Sequence, residues 1–204
     1  MRSPASGRSK GQIQILVRNG VATGADALFI ALAGRASRGG EANYACARGR
    51  DVARGRKYFD LPRIWIPSVA LPEALAGDGP ARVDRRTRSL LARRYCVRVL
   101  KKPLLAFHEA IPAWFLGTPK IVVPEVCARL SVFEDKSGAV LPLHSTLAIA
   151  AGRHHRLVVD ALRSPVVWKA LRRISPRMID GAVRLTAGSL RSVLHRYLRS
   201  TASR

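Results

Sequence analysis

One nine-residue stretch constrains the fold of this chain more than any other. It is TPKIVVPEV at 118–126, in which Pro119 and Pro124 bracket the β-branched run Ile121-Val122-Val123. A run this short cannot sustain a helix. It suits a strand buried on both faces, punctuated by residues that cannot donate to a sheet ladder. Lys120 stands at its mouth. Other short apolar runs have the length of strands: QIQILVR at 12–18, IWIP at 64–67, and the segments 130–133, 140–143 and 147–150. IWIP reads as an edge strand closed by proline. Asp135-Lys136-Ser137-Gly138 reads as the turn of a hairpin. The segment NGVATGADALFIAL at 19–32 reads as a turn, with Gly20 and Gly24 supplying backbone freedom, that feeds an apolar run suited to a core strand.

Helical periodicity appears elsewhere. Val83, Thr87, Leu90 and Leu91 recur at helix spacing and predict a helix over about 82–98, with Arg85, Arg86, Arg88, Arg93 and Arg94 on the remaining faces. Leu157, Val158, Ala161 and Leu162 mark a helix over 154–163. Ser164-Pro165 then forms an N-cap and first-turn pair for a helix over 165–174. Leu190, Val193, Leu194, Tyr197 and Leu198 give an amphipathic helix over 187–199. The expected fold class is α+β, a mixed or antiparallel sheet of short strands centred on 120–123 with flanking helices. Residues 1–11 read as a basic tail, 12–199 as one domain with a loop or sub-domain break near 73–81, and 200–204 as a second tail.

The charge narrows the partner. The 204 residues carry 36 basic against 13 acidic side chains, a net charge of +23. Arginines outnumber lysines 29 to seven, which codon usage can explain; it cannot explain the shortage of acids. A polyanion is the default partner of such a surface. No window of 18 apolar residues occurs, and no basic stretch has the Trp/Phe face of a membrane-surface helix, so the reading is no membrane partner. The basic start lacks the apolar core of a secretory signal, and the three scattered cysteines, Cys46, Cys96 and Cys127, form no CxxC pair. Both features suit a cytoplasmic protein. His154-His155 has no acid or cysteine at ligand spacing and reads as structural or exposed, not as a metal site. No acid pair, Ser/His/Asp set or Cys/His set points to another catalysis.

Several blocks occur in a telling order: GVATGADALF at 20–29, RGRD at 48–51, TPKIVVPEV, SGAVLPLHST at 137–146, and LRSPVVWKALRRISPRMIDGAVRLTAGSLRSV at 162–193. In that order they resemble the C-terminal specificity (target-recognition) domain of TaqI-type adenine-specific DNA methyltransferases. The resemblance extends over about residues 15–195, with Thr118 standing where many relatives have a lysine.

The resemblance implies the DNA-binding, target-recognition portion of an adenine-specific methyltransferase of a restriction-modification system. The family binds S-adenosylmethionine through a glycine-rich turn and holds the flipped adenine with an Asn/Asp-Pro-Pro-aromatic tetrapeptide. This chain has no Pro-Pro pair and no FxGxG-like turn. The implied arrangement is therefore a chain not catalytic alone, no cofactor held by it, and S-adenosylmethionine on a separate catalytic part. Duplex DNA is the implied partner, with Arg48, Arg50, Lys120, Arg172, Arg173, Arg177 and Arg184 as contacts. Arg184 is the one expected near a base. Roughly five to seven neutralised phosphates would give a salt slope of about −5 to −6. The alternative is a stand-alone basic module that binds RNA or DNA and has no enzymatic role.

Overall fold

The computed structural model describes residues 13–33, 43–71 and 83–202. In chain order the strands are β1 (Leu16–Asn19), β2 (Asn43–Ala47), β3 (Arg63–Trp65), β4 (Lys120–Pro124), β5 (Val126–Cys127), β6 (Phe133–Asp135), β7 (Val140–Pro142), β8 (Thr146–Ala150) and β9 (Val183–Arg184). The helices are α1 (Asp26–Ala33), α2 (Gly49–Ala53), α3 (Arg85–Ala92), α4 (Tyr95–Arg98), α5 (His155–Arg163), α6 (Pro165–Ile174) and α7 (Ala187–Ala202). The fold is α+β.

A four-stranded antiparallel sheet runs in the order β1-β8-β4-β6, and a three-stranded sheet in the order β3-β2-β7. In the second sheet β2 runs antiparallel to β3 and parallel to β7. A two-stranded ribbon joins β5 to β9.

β4 is buried along its whole length, and its alternation explains why it reads as one unbroken apolar run. Ile121 and Val123 face a core shared with Leu147 and Ile149 of β8 and with Val158, Leu162, Val167, Leu171, Leu190 and Leu194 of α5, α6 and α7. Val122 points the other way, into a core with Ala45, Ala47, Val52 and Val140. A strand covered on both faces needs apolar side chains at odd and even positions alike. A third cluster gathers Phe29 and Leu32 of α1, Trp65, Phe107, Phe115 and Leu141. Phe115 is fully buried and Trp114 stacks edge-on against it, 4.6 Å between ring centroids.

The helices of the C-terminal half fall where periodicity puts them. Ser164 accepts a hydrogen bond from Val166 N at 3.2 Å and Pro165 occupies the first turn of α6, as the capping pair predicts. The edge strand at IWIP is β3, shifted to Arg63–Trp65 and lying at the rim of its sheet. The first strand covers Leu16–Asn19. The break at 73–81 and the tail at 1–11 lie outside the described residues.

Three local expectations are corrected. The apolar run after GVATG is helix α1, not a core strand. Its sequence DALFIALA holds one β-branched residue among alanines and leucines, and Asp26 sits in its first turn. The helix expected over 82–98 is two helices that meet at Arg93-Arg94. Arg94 is the reason. Its guanidinium turns inward, 5.1 Å from the Phe29 ring centroid, and donates to the carbonyls of Leu91, Thr23, Ala106 and Leu104. Residues 135–138 do not close a hairpin, because β6 pairs with β4 whereas β7 pairs with β2. The turn passes the chain from one sheet to the other.

Candidate nucleic-acid interface

The blocks singled out in the sequence meet at one joint, the turn 143–146 between β7 and β8. Gly20 N donates to Thr146 O at 2.8 Å, and Glu125 N to Ser145 O at 2.9 Å. Gly49 N donates to the Ser145 hydroxyl at 2.8 Å. Thr146 closes the turn by donating its own hydroxyl to Leu143 O at 2.7 Å. Two glycines are demanded by how closely the chains approach. A Cβ on Gly20 would lie 2.1 Å from Leu143 O, and one on Gly49 2.4 Å from Ser145 O. Leu185 N donates to Glu125 O at 2.7 Å, which ties the segment after β9 to the same joint.

Several predicted contacts flank this joint. Arg48 precedes α2, so RGRD is the start of a short helix and not a loop. Asp51, third in that helix, reaches back to Arg48 N at 3.3 Å and pairs with the Arg48 guanidinium through Nε at 2.6 Å and Nη2 at 3.1 Å. Arg56 approaches the other side of Asp51 at 3.5 Å. Burial pushes the Asp51 carboxyl up, but the hydrogen bonds and charge of Arg48 outweigh it, and the group sits below the usual carboxylate range. Arg48 is thus held in place by Asp51, while Arg50 on the exposed face of α2 has no acidic partner among the described residues. Arg184 pairs with Glu125 at 2.7 Å and keeps over half of its side chain in water.

Arg172, Arg173 and Arg177 are exposed, and no acid among the described residues pairs with any of them. Arg172 lies 6.0 Å from the ring centroid of Trp168. Arg173 borders an apolar groove of about 350 Å³ between α6 and α7, lined by Val166, Ile174, Val193 and Tyr197. Arg177 follows α6 and bridges to Val183, so it shares the hairpin that ends in Arg184.

Lys120 does not belong with them, and its expected phosphate contact is corrected. Its side chain is 0% exposed, and Nζ lies 2.6 Å from the equally buried Asp135 directly across the β4–β6 pair. Asp135 also accepts from Val140 N at 2.9 Å, Ala139 N at 3.2 Å and the Ser137 hydroxyl at 3.0 Å. Burial lowers the Lys120 ammonium below the usual lysine value, against the opposing pull of Asp135. A cation this deep cannot reach a phosphate.

Sequence reasoning missed three members of the joint. Ser145 and Glu125 carry no local signal, because their partners are 96 and 59 residues away. His144 reads as a lone histidine, yet its Nδ1 lies 3.1 Å from Asp26 Oδ2, 118 positions distant. Asp26 also accepts from the Thr23 hydroxyl, which gives the T-x-x-D spacing of the first block a structural use. No group of three or more His, Cys, Asp or Glu side chains that could hold a metal occurs among the described residues. The cysteines are free and buried. Burial pushes the Cys46 thiol up to about 12 and Cys127 up to about 11, so neither is a nucleophile at neutral pH. No helix among the described residues is long and apolar enough to cross a membrane. In comparisons with known proteins, no family model and no curated protein matches this chain.

Proposed function

We propose that this chain is the target-recognition portion of an adenine-specific DNA methyltransferase resembling the TaqI type. It grips duplex DNA while methyl transfer and S-adenosylmethionine belong to a catalytic part outside these 204 residues. The observation that supports this reading is the joint itself. Gly20, Gly49, Glu125 and the turn 143–146 come from four of the blocks that carry the resemblance, and they are bonded to one another. Arg48, Arg50 and Arg184 emerge beside them.

Adenine's amino group is out of reach inside a stacked duplex, so the enzyme must hold the DNA while the base swings out. A basic rim built on a rigid joint supplies the hold. Phosphate contacts from arginine are bidentate and independent of sequence. Arg184 differs from the others because Glu125 pre-orients its guanidinium while leaving it exposed. It is therefore the residue assigned to a base edge, where a good bidentate pair contributes about 1–3 kcal/mol of discrimination.

The test is fluorescence anisotropy of the purified chain with duplex DNA at three salt concentrations. With Lys120 excluded, four to five phosphate contacts give an expected slope of log K against log salt of about −4. Arg172→Ala flattens it by about one for every sequence. Arg184→Ala weakens the preferred site more than random duplex. Salt-independent binding, or tighter binding to structured RNA than to duplex DNA, overturns the reading.

A further inference from the structure

The hairpin between α6 and α7 carries a side chain that its own fold does not use. Gly181 N donates to Met178 O at 3.1 Å, and Met178 N donates to Ala182 O at 2.8 Å. Ala182 N donates to Asp180 Oδ1 at 3.1 Å. Gly181 takes φ +78, the left-handed residue that follows a turn in a three-residue hairpin loop. Below the turn, Ala182, Val183 and Leu185 are buried and Arg184 N donates to Pro176 O at 2.9 Å, so the tip stands on the core. None of these bonds involves the side chain of Ile179. Ile179 is fully exposed, and the neighbouring Met178 is 42% exposed. A polar residue would serve the turn equally well. Among the described residues the next most exposed apolar side chain, Phe59, has the Tyr58 ring against it at 5.7 Å between centroids.

We propose that Ile179 is an apolar wedge for duplex DNA, entering a groove and pressing between two stacked base pairs. The inference rests on the DNA-binding reading above. Two features favour a base step over an apolar pocket of a protein, and a third eases insertion. Arg177 precedes the tip and Arg184 follows it, both exposed, so cations flank the wedge on either strand of the hairpin. The chain as a whole carries a charge of +23, which draws the tip to a polyanion. A β-branched side chain is restricted at χ1 and so has less freedom to lose on insertion. Wedges of this kind, with isoleucine and methionine among them, enter from the minor groove, unstack a step and kink the duplex toward the major groove.

The test uses the full chain and duplexes that carry 2-aminopurine at successive positions, whose emission rises on unstacking. Wild type is expected to raise emission at one step. Ile179→Ala should abolish that rise and weaken binding roughly tenfold at fixed salt. Its salt slope and thermal midpoint should match wild type, because neither a phosphate contact nor a core contact is lost. Wild type that binds duplex while Ile179→Ala binds equally well and gives the same emission overturns the wedge alone. Absence of duplex binding by wild type overturns the DNA reading and the wedge together. Ile179-dependent binding to anionic lipid vesicles, with no 2-aminopurine response, assigns the tip to a membrane surface and also overturns the wedge.

Discussion

Replacing Lys120 with methionine separates the two roles this cation could have. The substitution keeps the length of the side chain and removes its charge. In the structure the ammonium is buried against Asp135 at 2.6 Å. Without it, Asp135 remains as a carboxylate inside the protein. Breaking a buried pair from one side costs about 3–5 kcal/mol, because a charge is left without its counter-charge. Here Val140 N, Ala139 N and the Ser137 hydroxyl still donate to that carboxylate. Those bonds place Lys120→Met near the lower end, about 3 kcal/mol, or roughly 6–12 °C in the thermal midpoint for a domain of this size.

Urea unfolding followed by circular dichroism measures the loss, and duplex titration at three salt concentrations measures the other role. The salt slope should stay that of wild type under conditions where the variant is folded. Asp135→Asn should also destabilise, and the double variant should recover part of the sum, giving a coupling of about 2 kcal/mol. A surface phosphate contact predicts the opposite pattern: a stability change within about 0.5 kcal/mol and a slope flatter by about 0.9. Finding that second pattern would refute the burial argument.

Other perturbations probe the joint and its neighbours. Gly49→Ala must push a Cβ away from Ser145 O, which is backbone and cannot swing aside; a loss of about 1–3 kcal/mol in urea unfolding is expected. Arg94→Lys should lower the thermal midpoint even though charge is kept, because one ammonium cannot reach the carbonyls that the planar guanidinium serves. Asp51 has a folded pKa below its unfolded value of about 3.9, so its contribution is fully present above about pH 4 and is lost as pH falls through the folded value. The stability gap between wild type and Asp51→Asn, measured in urea at pH 7, 5 and 3, should therefore be smallest at pH 3.

What could be read from the sequence follows the range of the interaction involved. β4, α5, α6 and α7 are encoded by periods of two and 3.6 and by the Ser164-Pro165 cap, all within one element, and they appear where expected. The run in α1 is ambiguous because seven apolar residues between turns fit a strand or a helix, and only its poverty in β-branched residues favours helix. The turn at 135–138 has hairpin chemistry, yet its two strands take partners in different sheets, a choice made by tertiary packing. Lys120 had a legible warning. A strand whose neighbours are buried on both faces leaves no open face at its own end, and a lysine there needs a buried acid.

The same range argument bears on which cations are expected to serve the proposed interface. Net charge makes a polyanion the expected partner without saying which arginines are free to meet it. That depends on where the few acids go, and four of them go to structural joints. Asp135 neutralises Lys120 between strands, Asp51 fixes Arg48 at the start of α2, Glu134 holds Arg163 at 2.7 Å, and Glu125 orients Arg184. Of these pairs only Arg48 with Asp51 is local in sequence, at i and i+3. The others join residues 15, 29 and 59 positions apart. With its acids drawn to such joints, the surface keeps Arg50, Arg172, Arg173 and Arg177 without counter-charges. Unpaired arginines carry no pair to break before they meet a phosphate, whereas Arg48 and Arg184 must release or share theirs. Among the predicted contacts, the phosphate grip is therefore expected to rest on these four residues, and Arg48 and Arg184 to act through the direction their acids impose.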